Sequence, residues 1–452
     1  MEVDTGTTIH EINTTSSARG NRQISYLATT AVYPDPRNPR LHTKVQIRSI
    51  AKSIETFGFN APILVDANRK IVAGHGRHEA AKYLDLTQVP VIFLDHLTET
   101  QARAYMLADN KLTDRSSWDD GLVATQLKEL SELVLDFEIE ATGFEPPEID
   151  FRIQSLDSPD AADQADQFNP TVGPAVTVGG DLWLLGSHRL YCGDALSPEA
   201  LVTLMGSERA AATFMDPPYN VKIDGNAAGH GRTTYREFAM AVGEMSEVEF
   251  TNFLTNALSN ARSCVAMGGL IYACMDWRHM QEMLAAARAS DIDLVNLCVW
   301  VKPNGRLGSF YKSRHELVFV FKNGKDAHQN NIQLGRFGRN RTNVWNYSAA
   351  NPFRRKDAPD AESHPTVKPL LMVSDAILDC TRRNDIVLDP FLGSGTTLLA
   401  AERTGRRCYG IEIDPIYVDT AIERWQRMSG KEAVNSQGET FSAVRSARKI
   451  VP

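Results

Sequence analysis

The chain has 452 residues, 42% of them apolar and 23% charged, with a formal net charge of −8. That length exceeds one ordinary core and predicts two or three domains, and the balance is that of a soluble globular protein. There is no run of 18 apolar residues and the first 25 residues are polar, which argues against a membrane span or secretory leader and for a cytoplasmic protein. Six cysteines (Cys192, Cys264, Cys274, Cys298, Cys380 and Cys408) are scattered without a Cys-x-x-Cys pair or Cys/His cluster, so the expectation is buried reduced thiols and no metal site.

The net charge hides a division along the chain. Residues 129–167 hold twelve acidic groups against Arg152 alone, a net of −11, whereas residues 302–368 hold thirteen Lys/Arg against five acids, a net of +8. A basic segment of this kind is the electrostatic footprint of phosphate contacts, although a solvated surface would look the same.

Residues 1–23 are rich in Thr, Ser and Asn and predict a disordered tail. A compact pattern follows over 24–119. Val45–Phe57 has helical spacing, Pro62–Val65 is a short strand, and Ile71-Val72 leads into Gly74-His75-Gly76-Arg77 and a helix through Leu84. Val89–Leu94 is another strand and Glu99–Asn110 another helix. The order and the glycine/arginine turn resemble the ParB-like domain of partition proteins and, more distantly, sulfiredoxins. Only Gly74 and Arg77 match the partition turn, and the sulfiredoxin thiol is missing. A DNA-contacting or nucleotide-sensing role and retention of the fold alone both stay open, and Arg77 could simply cap its own turn.

Residues 120–175 predict a helix and then an acidic, Asp/Gln/Ala/Pro-rich linker. A second domain is expected over 176–430, with 431–452 as a C-terminal tail. It opens with a hairpin, Asp181–Leu185 and Arg189–Cys192, followed by Gly193-Asp194 and a helix over Pro198–Met205. Ala211–Met215 then reads as a buried strand delivering Asp216-Pro217-Pro218-Tyr219 to its carboxyl end. The prolines remove backbone donors and leave carbonyl acceptors beside a carboxylate and an aromatic face.

Methylation of an exocyclic base amine needs those groups. The amine lone pair is delocalised into the base until acceptors hold its hydrogens; Asp216 and the Pro217 carbonyl could do so, and Tyr219 could stack on a flipped base. No covalent nucleophile is required. Methylation at cytosine C5 would use a Pro-Cys pair, and the chain has none.

Helices are expected from Glu247 and from Trp277, and strands over Gly269–Cys274, Leu297–Val301 and Leu317–Phe321; Lys302–Arg314 and Gly335–Lys356 read as loops. Val387–Asp414 is then a strand, turn, helix, strand unit, in which Gly393 and Gly395 let the backbone approach a ligand at a strand end. Glu412 follows Asp389 by 23 residues, a spacing suited to a carboxylate that accepts from ribose hydroxyls. A phosphate loop would need a Gly-Lys-Ser/Thr ending, and a dinucleotide fingerprint a third glycine where Leu398 stands.

The string Asp389-Pro390-Phe391-Leu392-Gly393-Ser394-Gly395-Thr396-Thr397 resembles the cofactor motif of S-adenosylmethionine-dependent DNA amino-methyltransferases. With the catalytic motif ahead of the cofactor motif, the order looks like their beta group, and the likeness runs from Asp181 to about Arg427. The resemblance implies a Rossmann-like α/β methyltransferase with a mostly parallel, seven-stranded sheet, preceded by the small ParB-like α/β domain. It implies Asp216, Pro217, Pro218 and Tyr219 as catalytic residues. For S-adenosylmethionine it implies Asp194, Lys368, Asp389, Phe391, Gly393, Ser394, Gly395, Thr396, Thr397 and Glu412, with Lys368, in His364–Pro369, at the methionine part. The target-recognition region would span about 302–363, with Arg306, Arg336, Arg339, Arg341, Arg354 and Arg355 as candidate contacts to duplex DNA. Aspartate at the head of the catalytic motif favours adenine N6. Cytosine N4, an RNA substrate, and a ParB-like DNA-binding or regulatory protein with secondary methylation are the alternatives. A homodimer and a restriction endonuclease partner are left open.

Overall fold

The structure, a computed structural model, describes residues 22–113, 118–133, 135–156, 173–220, 243–306, 311–332, 339–347 and 367–448. The expected tail up to residue 21 and most of the expected acidic linker, 157–172, lie outside them. The chain divides into two compact units, 1–145 and 146–452.

The first unit contains β1 (Ser25–Ala28), α1 (Lys44–Phe57), β2 (Ile63–Val65), β3 (Ile71–Ala73), α2 (His75–Tyr83), β4 (Gln88–Phe93), α3 (Glu99–Thr113) and α4 (Asp120–Glu132). Its sheet has the order β1-β4-β2-β3, with β2 parallel to β4 and the other pairs antiparallel. Val32, Ile63, Val65, Ile71, Ala81, Val89 and Val91 form its core. Thr43 caps α1 by accepting from the Gln46 N–H. Gly74, at φ +100°, turns the chain into α2 in a conformation that a side chain would resist. Arg77 folds back to donate to the carbonyls of Ala61 (2.7 Å) and Pro62 (3.1 Å).

The second unit begins with α5 (Pro146–Gln154). Asp150 on α5 is buried against the equally buried Arg406, in a two-bond pair of 3.0 and 2.7 Å. There follow β5 (Leu182–Leu185), β6 (His188–Cys192), α6 (Pro198–Met205), β7 (Ala210–Met215), α7 (Glu247–Cys264), β8 (Val265–Met275), α8 (Met280–Ala289), β9 (Asp293–Arg306), β10 (Ser313–Lys322) and β11 (Val344–Asn346). The unit closes with α9 (Leu370–Cys380), β12 (Ile386–Asp389), α10 (Thr396–Thr404), β13 (Arg407–Glu412), α11 (Pro415–Ser429), β14 (Val434–Asn435) and α12 (Phe441–Ala447).

These strands make one sheet in the order β11-β9-β10-β8-β7-β12-β13-β6-β5-β14. Its middle seven, from β9 to β6, are the expected mostly parallel sheet, in which β10 alone runs against the rest. Three short edge strands bring the total to ten. Parallel strands covered on both faces carry near-continuous apolar runs, which is why Ile386–Leu388 and Ala212–Met215 were readable.

Two segments differ from the expectation. Lys302–Arg306 continues β9 instead of forming a loop, because Ser313 on β10 pairs with Arg306. The segment read as a C-terminal tail supplies β14 and α12, and Phe441 packs edge-on against Trp183 at 5.2 Å. Its apolar residues are too few to announce a helix.

Candidate active site

The chain leaves β12 for β13 on one side and β7 for β8 on the other, so the carboxyl ends of β7 and β12 flank the topological switch point, where open α/β sheets bind ligands. Asp216 follows β7, Asp389 ends β12, Glu412 ends β13, and Asp194 lies two residues beyond β6. Topology thus gathers four of the predicted carboxylates along one sheet edge.

The β12–α10 turn is shaped from its backbone. Gly393 (φ +54°) and Gly395 (φ +90°) take the left-handed conformation, and a Cβ on Gly395 would come within 2.8 Å of Ala421 Cβ, whereas one on Gly393 would meet nothing within 4 Å. Glu412 accepts from backbone donors, among them the Gly393 N–H at Oε2 and the Asp414 N–H at Oε1, each at 2.8 Å, with the Ile413 N–H beside them. A carboxylate offers about four acceptor positions, so room remains for a ligand hydroxyl. Asp389 accepts from the Phe391 N–H at 3.0 Å and from the Thr397 hydroxyl. Burial pushes both carboxyls up to about 7. Asp194 accepts from the Leu196 N–H at 2.8 Å, Phe391 packs near Phe253, and the Ser394 carbonyl and hydroxyl accept from Arg424. Thr396 and Thr397 are buried at the start of α10.

Beside this turn the Tyr219 hydroxyl donates to Asp216 Oδ1 at 2.6 Å, and Lys368 Nζ lies 2.5 Å from Asp216 Oδ2 and 3.1 Å from the Tyr219 oxygen. Pro217 is buried and Pro218 partly so. Burial raises the Asp216 pKa, against the opposing pull of Lys368. Two residues absent from the sequence reading complete the cluster. Glu316 Oε2 is 3.2 Å from both Lys368 Nζ and the Tyr219 oxygen, and Lys302 Nζ donates to Glu316 Oε1. Burial alone would raise Glu316, but Lys368 and Lys302 draw it down to about 2.

Sequence reasoning also missed Asn220, at φ +52° directly after the motif. Its side chain accepts from the N–H groups of Gly243 and Met245 and donates to the Met245 carbonyl, tying the motif to the start of the segment before α7.

The predicted arginines divide. Arg336, Arg354 and Arg355 lie outside the described residues, and Arg306 stands at the end of β9. Arg339 and Arg341, read as candidate DNA contacts, face inward to α9. Arg339 is 6% exposed and donates to Asp379 (2.6 and 3.1 Å), Gln154 and the Asp375 carbonyl. Arg341 donates to Asp375, Asp379 and the Tyr347 hydroxyl. Both guanidinium groups are turned toward Asp375 and Asp379 on α9.

Residues 210–423 match the DNA methylase family (N6/N4) and residues 13–110 match the ParB N-terminal domain. The chain is 28% identical over 229 residues to the Type II methyltransferase M.HinfI of Haemophilus influenzae, covering 47% of this chain and 61% of that protein, less than two thirds of its length. It is 28% identical over 223 residues to the Type II methyltransferase M2.LlaDCHI of Lactococcus lactis subsp. cremoris, covering 47% and 80%. Among solved structures it resembles the M1.HpyAVI–SAM complex at 22% identity and a TM-score of 0.37, covering 52% of this chain and 97% of that one. Among the described residues, no helix is long and apolar enough to cross a membrane.

Proposed function

We propose, from the match of residues 210–423 to the DNA methylase family and of residues 13–110 to the ParB N-terminal domain, that the chain transfers the methyl group of S-adenosylmethionine to the exocyclic N6 of adenine in duplex DNA, after the base is flipped. The observation that carries this reading is the gathering of Asp216, with Tyr219 and Lys368, onto the same sheet edge as Asp389 and Glu412.

The residues at this edge fit that cofactor. S-Adenosylmethionine is a nucleoside with a cationic sulfonium and no pyrophosphate. The edge offers what such a molecule needs: Glu412 for the ribose hydroxyls, the open space around Gly393, and carboxylates that burial has pushed toward neutrality and that a cation would stabilise. Asp194, Lys368, Phe391, Ser394, Gly395, Thr396 and Thr397 would complete the cofactor site.

When bound, S-adenosylmethionine supplies an electrophilic methyl carbon. Asp216 and the Pro217 carbonyl would accept the two amine hydrogens, localising the nitrogen lone pair so that the amine can act as the nucleophile. The raised Asp216 pKa makes this carboxylate a better acceptor for the proton that the methylated amine sheds. Pro218 restricts the strand end and Tyr219 supplies the ring beside the base. Arg306, Arg336, Arg354 and Arg355, within the basic 302–363 segment, contact the duplex.

Adenine is preferred over cytosine because aspartate heads the catalytic motif. In the ParB-like unit, Arg77 is engaged with the carbonyls of Ala61 and Pro62, which favours methylation over partition as the main activity. The test is transfer from labelled cofactor to unmethylated duplex DNA, with RNA in competition, followed by nucleoside identification. N6-methyladenine supports the reading. N4-methylcytosine alone overturns the choice of base, and preferential labelling of RNA overturns the choice of substrate.

A further inference from the structure

Glu316 is 8% exposed on β10, and its two oxygens are divided between two lysines. Oε2 faces Lys368 Nζ at 3.2 Å, and Oε1 accepts from Lys302, which comes from the neighbouring β9 and lies 4.7 Å from the centre of the Trp300 ring. Lys302, Glu316, Lys368 and Asp216 therefore form one unbroken line of alternating charge, formally neutral, ending at the carboxylate proposed above to accept from the base amine.

The inference rests on the function proposed above. An ammonium paired with Asp216 alone would cancel the charge of that carboxylate and repel the positive charge that grows on the amine as the methyl group arrives. A second carboxylate that takes part of the ammonium relieves both effects. Electrostatics of this kind are strong in a buried site.

We propose that Glu316, braced by Lys302, is a positioning residue for methyl transfer: it holds the Lys368 ammonium between two carboxylates, so that Asp216 stays an acceptor for the base amine. Glu316 acts through Lys368, since the Tyr219 hydroxyl, also 3.2 Å from Oε2, gives its one hydrogen to Asp216 at 2.6 Å. Because its two lysines draw its pKa down to about 2, it keeps its charge at any working pH.

The experiment is a double-mutant cycle in the full chain, reading single-turnover methyl transfer to duplex DNA together with cofactor affinity and thermal unfolding. Glu316→Gln preserves shape and removes the charge; it should slow transfer by about 10- to 100-fold while leaving the cofactor Kd within about threefold. In a Lys368→Met background the same change should shrink to below about threefold, because the residue it acts through has gone. Lys302→Met should slow transfer in the same direction by a smaller factor that also disappears in that background, and it carries the test if Glu316→Gln does not fold. Equal factors in both backgrounds would overturn the proposal, as would a loss of cofactor binding that accounts for the whole rate effect. A wild-type protein that transfers no methyl group to DNA overturns the functional reading, and this one with it; an active wild type with uncoupled variants overturns this one alone.

Discussion

Lys368 Nζ lies 2.5 Å from Asp216 Oδ2. A residue read from the sequence as part of the cofactor site therefore also touches the carboxylate assigned to the base. Lys368 opposes the effect of burial on Asp216, so its removal should let the Asp216 pKa climb further. In Lys368→Met the acidic limb of the pH–rate profile should move to higher pH, with activity lost first at low pH. A limb that stays in place or moves lower would show that Lys368 does not govern Asp216.

Asp389 and Glu412 are both pushed up to about 7 by burial, from ordinary values of 3.8 and 4.5. The folded state thus holds these two protons more tightly than the unfolded chain. The stability they contribute is fully present below their ordinary values and is lost as pH rises through about 7. The cofactor-free protein should accordingly melt lower at pH 8 than at pH 5, while affinity for the cationic cofactor should rise over the same interval as the carboxylates ionise. Glu412→Gln should flatten part of both slopes and weaken the cofactor by about 1–3 kcal/mol. Thermal melts and calorimetric titrations across that range check both signs.

The two glycines of the turn should respond differently to a methyl group. Gly395→Ala combines a φ of +90° with a contact at 2.8 Å to Ala421 Cβ, so it should destabilise the unit by about 1–3 kcal/mol or more. Gly393→Ala meets nothing within 4 Å and should bear only the backbone cost of about 1–2 kcal/mol. Its methyl group points into the space proposed for the cofactor, so its loss of cofactor affinity should exceed its loss of stability. Denaturant titrations paired with binding measurements separate the two.

Asp150 is buried against Arg406, whose side chain is 0% exposed. Asp150→Ala would leave that guanidinium buried without its carboxylate, a change expected to cost about 3–5 kcal/mol. A chain beginning at Pro146 should fold with normal stability, and one beginning at Val176 should be destabilised by a similar amount. Equal denaturation midpoints for the two chains would refute this role for α5.

The reach of the sequence reading follows from how local each signal was. β7 and β12 are apolar runs ending in Asp216 and Asp389, and the glycines between β12 and α10 lie within a few residues of the groups they position, so one stretch of chain carried each message. Glu316 and Lys302 join Asp216 only because β10 and β9 fold back across β8. The one available hint was a charged residue at the head of the apolar run Leu317–Phe321. Arg339 and Arg341 looked like DNA contacts because the surrounding segment is basic. Their partners, Asp375 and Asp379, are one helical turn apart on α9, and only the tertiary fold brings that face to them. The role of α5 was hidden for the same reason: Asp150 sits in an acidic stretch, and Arg406 lies far along the chain.

In the proposed function Asp216 takes the base amine and the Asp389–Glu412 edge takes the cofactor. The most direct measurement compares wild type and Asp216→Ala for methyl transfer to unmethylated duplex DNA and for cofactor affinity. The account predicts N6-methyladenine from wild type, and from the variant a loss of transfer of at least about 100-fold with cofactor affinity nearly intact. A variant that no longer binds the cofactor yet still methylates adenine would reverse the two roles and contradict the account.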